Sequence, residues 1–213
     1  MSSAMTLFWK LHVFFMQLVV ATFVVAGLSH LEVKAASDAT APPFASLFGG
    51  PFELVDQDGQ PKSDKDFRGK FMLIYFGYVN CPAICPANLQ QMAVALEQLG
   101  AAGKKIQPIF ISLDPARDTP AKLKEFVANF GSDFIGLTGT EAQIKSVSKA
   151  YKAIRRKVTL PEQESEDDYL VFHSTLMLFM DTKGKFLTLF PHNTRGIEMA
   201  KRMRKYLKAQ APS

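Results

Sequence analysis

The chain has 213 residues, of which 47% are hydrophobic, and its formal net charge is +5 at pH 7. This apolar fraction excludes an intrinsically disordered chain, and the length fits one domain with a leader. The cations show no zinc-finger spacing and no interleaved aromatic signature, so we expect no nucleic-acid partner. The densest cluster of cations, between Lys201 and Lys208, has the spacing of the outer face of a terminal helix, which predicts a solvent-exposed helix face. The alternative is that this face contacts an acidic partner or a membrane surface.

An apolar segment lies near the N-terminus. Residues 11–28 contain no formally charged side chain and follow Lys10. The segment is long for a signal peptide and barely long enough for a membrane helix. Small residues at the first and third positions of Val33-Lys34-Ala35 suit signal cleavage. Residues 1–35 are therefore predicted to be either a signal peptide or an N-terminal membrane anchor. Both alternatives put the remaining chain outside the cytoplasm, which in a bacterium is the periplasm.

The rest of the chain divides into a linker and one domain. Residues 36–48 (ASDATAPPFASLF) have the small, polar, proline-bearing composition of a linker, and residues 49–213 are predicted to form the domain. Apolar runs bounded by turn residues predict strands, and apolar residues at helical spacing predict helices. The polar stretch 155–168 is predicted to be an exposed loop or hairpin. The predicted strands are 52–55, 71–76, 106–113, 135–137, 171–180 and 185–190, and the predicted helices are 86–99, 120–130, 140–151 and 194–208.

The order of these elements predicts the fold class. Strands that alternate with helices indicate an α/β fold whose central sheet is flanked by helices in three layers. The last two strands, joined by a turn with Gly184, form a hairpin that makes the sheet mixed, and the strand at 52–55 with its following turn predicts an N-terminal hairpin. The cysteines follow the first core strand, which is where thioredoxin-like folds place their reactive pair.

Cys81 and Cys85 are the two cysteines of the chain. A lone pair at local spacing indicates redox chemistry, metal binding or both. On a helix, positions i and i+4 lie on one face about 5–6 Å apart, so the two sulfurs can share one metal ion. Soft thiolates select Cu(I), zinc or iron–sulfur, and zinc usually takes four ligands. An inert disulfide or two buried thiols remain the alternative.

A third ligand has to come from elsewhere in the chain. His12 and His30 belong to the leader region, and His192 follows a proline in a turn after a predicted strand. His173 begins an apolar strand beside the acidic loop, from which it can reach a neighbouring element. The residues alone leave His173 open between a metal ligand and an ordinary core or surface histidine.

Three ordered markers resemble the SCO/SenC family of copper-binding thioredoxin-fold proteins. The resemblance covers roughly residues 52–207. The markers are Tyr75-Phe76-Gly77-Tyr78 running into Cys81-Pro82-x-x-Cys85-Pro86, then Ser112-Leu113-Asp114-Pro115-Ala116-Arg117-Asp118-Thr119-Pro120, and last His173-Ser174 after an acidic loop.

The resemblance implies that copper, as Cu(I) or Cu(II), is bound by Cys81, Cys85 and His173. It also implies a role in maturing the binuclear copper centre of cytochrome c oxidase. The expected partner is subunit II of that oxidase or another copper protein. An upstream copper donor is a further candidate partner. Three loop residues then support the site or the partner surface, or they serve only as loop and cap structure: Asp114, Arg117 and Asp118.

The chain departs from the family pattern around the expected ligands. The family often has histidine just before the first cysteine, an acidic residue between the cysteines and aspartate before the metal histidine. The corresponding residues here are Val79-Asn80, Ala83-Ile84 and Phe172. Because residues behind the ligands tune a metal centre, these changes could alter copper affinity or partner choice without removing a ligand.

Three functions are compatible with this sequence. The first is a copper chaperone that binds and transfers one ion without turnover. The second is a thiol–disulfide oxidoreductase that reduces a partner's cysteines through Cys81 and Cys85. The third, a peroxidase of the peroxiredoxin type, is disfavoured because Tyr78 occupies the position of the usual threonine three residues before the reactive cysteine. Whether the protein is an enzyme thus stays open, with a metallochaperone favoured.

Overall fold

The computed structural model describes residues 47–159, 165 and 168–210. The predicted leader, residues 1–35, and most of the predicted linker lie outside the described residues. Within the described part, no helix is both long and apolar enough to cross a membrane.

The domain consists of nine strands and four α-helices in the described ranges. The strands are β1 (Glu53–Asp56), β2 (Pro61–Ser63), β3 (Phe71–Gly77), β4 (Ile106–Ser112), β5 (Ile135–Thr138), β6 (Arg155–Thr159), β7 (Tyr169–His173), β8 (Met177–Met180) and β9 (Phe186–Phe190). The helices are α1 (Ile84–Leu99), α2 (Pro120–Ala128), α3 (Glu141–Ala150) and α4 (Gly196–Ala209).

Seven of the strands form one mixed sheet, in the order β2-β1-β5-β4-β3-β8-β9. Strands β3, β4 and β5 are parallel, and β8 runs antiparallel to β3. Every residue of β3 and β4 is buried, which is typical of parallel strands covered on both faces. The hairpins β1–β2 and β8–β9 supply the antiparallel edges. The predicted α/β class, mixed sheet and N-terminal hairpin are therefore confirmed.

Successive residues of β3 show that helices cover both faces of the sheet. The Tyr75 hydroxyl lies 3.6 Å from the sulfur of Cys85 in α1. Phe76 points to the opposite face, where its ring lies 5.7 Å from that of Tyr151, just after α3. Because side chains alternate along a strand, α1 and α3 lie on opposite sides, and the sheet forms the middle of three layers.

Strands β6 and β7 form a separate two-stranded antiparallel sheet. The predicted single strand 171–180 is wrong, because its first part belongs to β7 and its second part to β8. The two parts have different surroundings: burial alternates along β7, whereas all four residues of β8 are buried. Of the two alternatives for residues 155–168, the described strands agree with a hairpin, and its connection from 160 to 164 and 166 to 167 lies outside the described residues.

Candidate metal centre

Cys81 and Cys85 occupy the turn from β3 into α1. Helix α1 begins at Ile84, so Cys85 lies in its first turn and Cys81 precedes the helix. The helix thus begins two residues before the predicted start at residue 86, and the i/i+4 spacing on one helical face does not describe this pair. The turn instead folds Cys81 back over the helix start, where its sulfur accepts a hydrogen bond of 3.4 Å from the backbone N–H of Cys85. Both cysteines are free thiols.

Gly77, the last residue of β3, allows the close approach of Cys85 to the sheet. A Cβ atom at this position would lie 2.7 Å from the Cys85 sulfur and 2.9 Å from the ring of Phe110. Real Cβ atoms do not approach other atoms so closely. A side chain at position 77 would thus push Cys85 away from the strand, which explains the glycine in the first sequence marker.

His173 is the last residue of β7 and faces the cysteines. Its Nε2 lies 3.4 Å from the Cys85 sulfur, and its Nδ1 lies 2.9 Å from the carbonyl oxygen of Ser174. A carbonyl oxygen only accepts, so Nδ1 carries the proton and Nε2 presents its lone pair to the two sulfurs. This is the tautomer that a metal-binding histidine needs.

Two tyrosines hold the imidazole of His173 in place. The rings of Tyr75 and Tyr78 meet it edge to face, with centroid distances of 6.1 and 5.8 Å. Such T-shaped contacts are the favoured geometry for aromatic pairs. The tyrosines therefore fix the direction in which Nε2 points.

The three side chains form one group of potential metal ligands. The ligand atoms of Cys81, Cys85 and His173 all lie within 4.8 Å of one another, and they are the only such group of three or more among the described residues. His192 lies apart from this group, with its Nδ1 3.0 Å from the Asn88 side-chain oxygen. His12 and His30 lie outside the described residues.

The two thiols differ sharply in acidity. The pKa of Cys81 is lowered to about 3, chiefly because the Cys85 thiol donates a hydrogen bond to it, with further help from nearby backbone N–H groups. The pKa of Cys85 is raised, chiefly by the same hydrogen bond and then by burial and the negative charge of Cys81. The pair therefore shares one proton, which stays on Cys85.

The loop after β4 supports the cysteine turn from behind. One oxygen of the Asp118 carboxylate accepts hydrogen bonds from the backbone N–H of Val79, at 3.1 Å, and from the Ser112 hydroxyl, at 2.6 Å. Burial raises the pKa of Asp118 to about 6, against the opposing effect of these hydrogen bonds. Asp118 thus anchors the turn two residues before Cys81.

The same loop holds the strand that carries His173. Arg117 and Asp114 form a buried ion pair with an N–O distance of 2.5 Å. The Tyr169 hydroxyl donates to the other oxygen of Asp114 at 2.7 Å, and Arg117 donates to the Tyr169 carbonyl at 3.0 Å. The guanidinium also lies 3.6 Å from the centre of the Tyr169 ring. We call these three residues the Arg117 cluster; they join the loop to the start of β7.

Sequence reasoning missed the roles of three tyrosines. Tyr75 and Tyr78 belong to the first sequence marker but had no role assigned, and Tyr169 was not singled out. Their ring contacts join β3, its following turn and β7, which are distant in the sequence. The signal that would have found Tyr169 is its position four residues before His173, since the two-residue period of a strand puts both on one face.

The donor set determines which ions this group could hold. The two thiolates are soft donors suited to Cu(I), and imidazole suits copper as Cu(I) or Cu(II). Structural zinc sites take four protein ligands, whereas the described residues bring three together. The residues present therefore fit copper better than structural zinc.

Comparison with known proteins gives consistent matches. The family model described as SCO1/SenC matches residues 40–208. "Protein SCO2, mitochondrial" from Saccharomyces cerevisiae is 38% identical over 183 residues, which cover 85% of this chain and 60% of that protein. The chain thus spans less than two thirds of that relative's length.

Solved structures agree with the sequence matches. Arabidopsis thaliana ScoI, crystallised with copper bound, has a TM-score of 0.71 and 35% identity, covering 76% of this chain and 99% of that one. BsSco has a TM-score of 0.58 and 28% identity, covering 76% and 92%. That protein is described as having a disulfide switch and as a member of the Sco family of cytochrome c oxidase assembly proteins. The fold is therefore the thioredoxin-like fold of these proteins.

Proposed function

The chain belongs to the SCO1/SenC family, and from this premise we propose that it is a copper chaperone of cytochrome c oxidase assembly. In this proposal Cys81, Cys85 and His173 bind one copper ion and release it to a partner protein. The single observation that carries the proposal is the convergence of their three ligand atoms within 4.8 Å.

The surroundings of the three ligands support reversible binding of a soft cation. Cys81 already favours the thiolate, so at neutral pH the entry of copper displaces one proton, from Cys85. The tautomer of His173 leaves Nε2 available without loss of a proton. Copper is the cargo in this process, and it leaves as an ion when the acceptor's own ligands replace the three side chains.

The acceptor and the location of this process are part of the proposal. The favoured acceptor is subunit II of cytochrome c oxidase, whose binuclear centre requires copper, with another copper protein as the alternative. An upstream donor would supply the ion. We place the domain outside the cytoplasm, in the bacterial periplasm, with residues 11–28 serving as a membrane anchor or as part of a cleaved signal.

An anaerobic Cu(I) titration in competition with a chromogenic chelator tests the ligand set. The wild type should take up one ion per chain, and the Cys81→Ser, Cys85→Ser and His173→Ala variants should each lose tight binding. His192→Ala is the matched control, because His192 is the other described histidine and contacts Asn88 instead of the cysteines. Stoichiometric, equally tight binding by His173→Ala would exclude the three-ligand site.

A specific feature of the cysteine turn favours a second candidate, thiol–disulfide reduction. Cys81 is 8% exposed whereas Cys85 is fully buried, an arrangement typical of an attacking and a resolving cysteine. The Cys81 thiolate would attack a partner disulfide and release one partner thiolate. Cys85 would then attack the mixed disulfide, so that the partner gains two electrons and this chain forms the Cys81–Cys85 disulfide. A cellular dithiol would restore the reduced form.

The two candidates differ in their dependence on His173. Reduction of oxidised subunit II by a stoichiometric amount of the copper-free dithiol protein, followed by mass spectrometry of alkylated thiols, measures the second activity. If His173→Ala reduces the partner as fast as the wild type while copper transfer is lost, both activities exist and are separable. Absence of any partner reduction by the wild type would exclude the reductase.

A further inference from the structure

The outer face of the β6–β7 hairpin is an apolar surface beside the candidate metal centre. Along β7, Tyr169, Val171 and His173 point inward and are buried, whereas Leu170 and Phe172 point outward and are exposed. Strand register pairs Arg156 with Phe172 and Val158 with Leu170. Directly paired residues share a face, so these four side chains form one surface.

Exposed hydrophobic residues are concentrated around this centre. In the described part of the chain six large hydrophobic side chains are exposed: Leu47, Ile84, Ile154, Leu170, Phe172 and Ile197. Leu170 and Phe172 belong to the outer face just described. Ile154 directly precedes β6, and its carbonyl accepts a hydrogen bond from Ser174, next to His173. Ile84 directly precedes Cys85 in α1, so four of the six lie on or next to the hairpin and the helix start that carry His173 and Cys85.

The exposure of this face needs an explanation, because the hairpin forms a sheet of its own. A two-stranded sheet is marginal unless other elements pack against it. Its inner face packs on the domain through Tyr169 and Val171, which are buried. Its outer face does not pack in this way: Phe172 is 58% and Ile154 is 65% exposed. Clustered exposed apolar residues of this kind mark interaction sites.

The charges on the hairpin indicate what the surface accepts. Strand β6 begins Arg155-Arg156-Lys157, and neither β6 nor β7 contains a carboxylate. Arg156 places its guanidinium 5.7 Å from the centre of the Phe172 ring, so positive charge lies directly on the apolar surface. Asp168, the described acidic residue of the connection, directly precedes Tyr169, at the end of β7 opposite His173.

We propose that this docking face (Ile154, Arg156, Leu170 and Phe172), together with Ile84, binds the protein that accepts copper from the metal centre. The fitting partner presents apolar side chains flanked by carboxylates close to its own thiol or imidazole ligands. The proposal rests on the copper-transfer function above and names the surface that carries it out. Phe172 adjoins His173 at the end of β7, and Ile84 adjoins Cys85 at the start of α1, so a partner on this face contacts the two elements that carry these ligands.

The test compares two pairs of exposed apolar residues. One variant combines Ile154→Ser with Phe172→Ser, and the matched control combines Leu47→Ser with Ile197→Ser, which are both 53% exposed. Each protein is loaded with Cu(I) and mixed anaerobically with the copper-free, reduced soluble domain of cytochrome c oxidase subunit II. Stopped-flow spectroscopy measures the second-order rate of copper transfer, and chelator competition measures the Cu(I) affinity.

The docking face predicts a selective loss of transfer. Its double variant should transfer copper at least about tenfold more slowly, because truncating central interface residues commonly costs a tenfold factor or more. Its Cu(I) affinity should equal that of the wild type, and the control pair should match the wild type in both measurements. Arg156→Glu should slow transfer most at low ionic strength, since charge at an interface acts mainly on the rate of encounter.

The outcomes separate this surface from the function on which it rests. Unchanged transfer by the docking-face variant overturns the surface and leaves the chaperone function intact. A parallel loss of Cu(I) affinity also overturns it, since the residues would then support the ligands. A change in self-association alone, seen by analytical ultracentrifugation, would assign the face to a second copy of this chain. Failure of the wild type to transfer copper refutes the proposed function and the surface together.

Discussion

Replacing Arg117 by methionine tests how the domain holds its three proposed ligands together. The change removes the guanidinium and keeps a side chain of similar length. It leaves the carboxylate of Asp114, which is 4% exposed, without its ion-pair partner. It also removes the hydrogen bond to the Tyr169 carbonyl and the contact with the ring of that residue.

The expected cost follows from the burial of this ion pair. Removing one partner of a buried pair costs about 3–5 kcal/mol, because the other charge stays buried and uncompensated. We expect Arg117→Met to lose that much free energy of unfolding in urea denaturation. Arg195→Met is the control: this arginine has a side chain 75% exposed and a 3.5 Å contact to Glu198, so its loss should stay within about 0.5 kcal/mol.

Copper affinity separates a positioning role of the Arg117 cluster from a purely structural one. If the cluster holds β7 in place, Arg117→Met should weaken Cu(I) binding as well as folding. Combining Arg117→Met with Asp114→Asn removes the buried, uncompensated charge of the carboxylate. Much of the stability should then return, while the contacts of residue 117 with Tyr169 remain absent. Wild-type Cu(I) affinity in this double variant would refute the positioning role, and an unfolding free energy within about 1 kcal/mol of wild type in Arg117→Met would refute the magnitude.

Three further predictions follow from the same region. Gly77→Ala should destabilise the fold by about 1–3 kcal/mol, since the new methyl group overlaps the Cys85 sulfur; urea denaturation measures this. In the copper-free dithiol protein, iodoacetamide should modify Cys81 before Cys85, at a rate almost constant from about pH 8 to about pH 5, because the pKa of Cys81 is lowered to about 3. Burial raises the pKa of Asp118 from its ordinary 3.8 to about 6. At pH values between these two pKa values, the folded protein keeps a proton that the unfolded chain has lost. The free energy of unfolding of the wild type, measured relative to that of Asp118→Asn, should therefore fall by about 1 kcal/mol between about pH 5 and about pH 8.

Each of these outcomes has a clear contrary result. A Gly77→Ala variant as stable as wild type would mean that the Cys85 sulfur can move away freely. Equal alkylation of both cysteines, or a rate that drops tenfold per unit as the pH falls below about 8, would show that the proton is not held on Cys85. Parallel pH profiles for wild type and Asp118→Asn would show that this carboxyl is ionised at the same pH in the folded and unfolded chains.

The fold was largely predictable because its strands have strong local signatures. The continuous apolar run of β3, the mostly apolar run of β4 and the Thr119-Pro120 start of α2 are each recognisable within a few residues. The break between β7 and β8 was not recognisable in the sequence, because both strands are apolar and only the tertiary structure assigns them to different sheets. The local sequence pattern does not indicate which sheet a strand joins.

The candidate site was predictable in part for a similar reason. Cys81 and Cys85 are near in sequence, so their pairing needed only local spacing, although the geometry came from a turn before the helix. His173 is 88 residues from Cys85, and the residues alone left its role open until the ordered markers were considered. The contacts of Tyr169 with Arg117 join elements 52 residues apart and had no sequence signal as a pair.

The division of the domain into two sheets has a thermodynamic consequence for the proposed copper site. Cys81 lies in the turn that follows β3 of the seven-stranded sheet, and Cys85 lies in the first turn of α1. His173 belongs to the two-stranded sheet. An ion held by all three ties the two sheets together, so the free energy of metal binding also opposes local opening of the hairpin. By reciprocity, whatever displaces the hairpin weakens metal binding by the same factor. A partner that pulls on β6 and β7 can therefore loosen the ion without touching either sulfur.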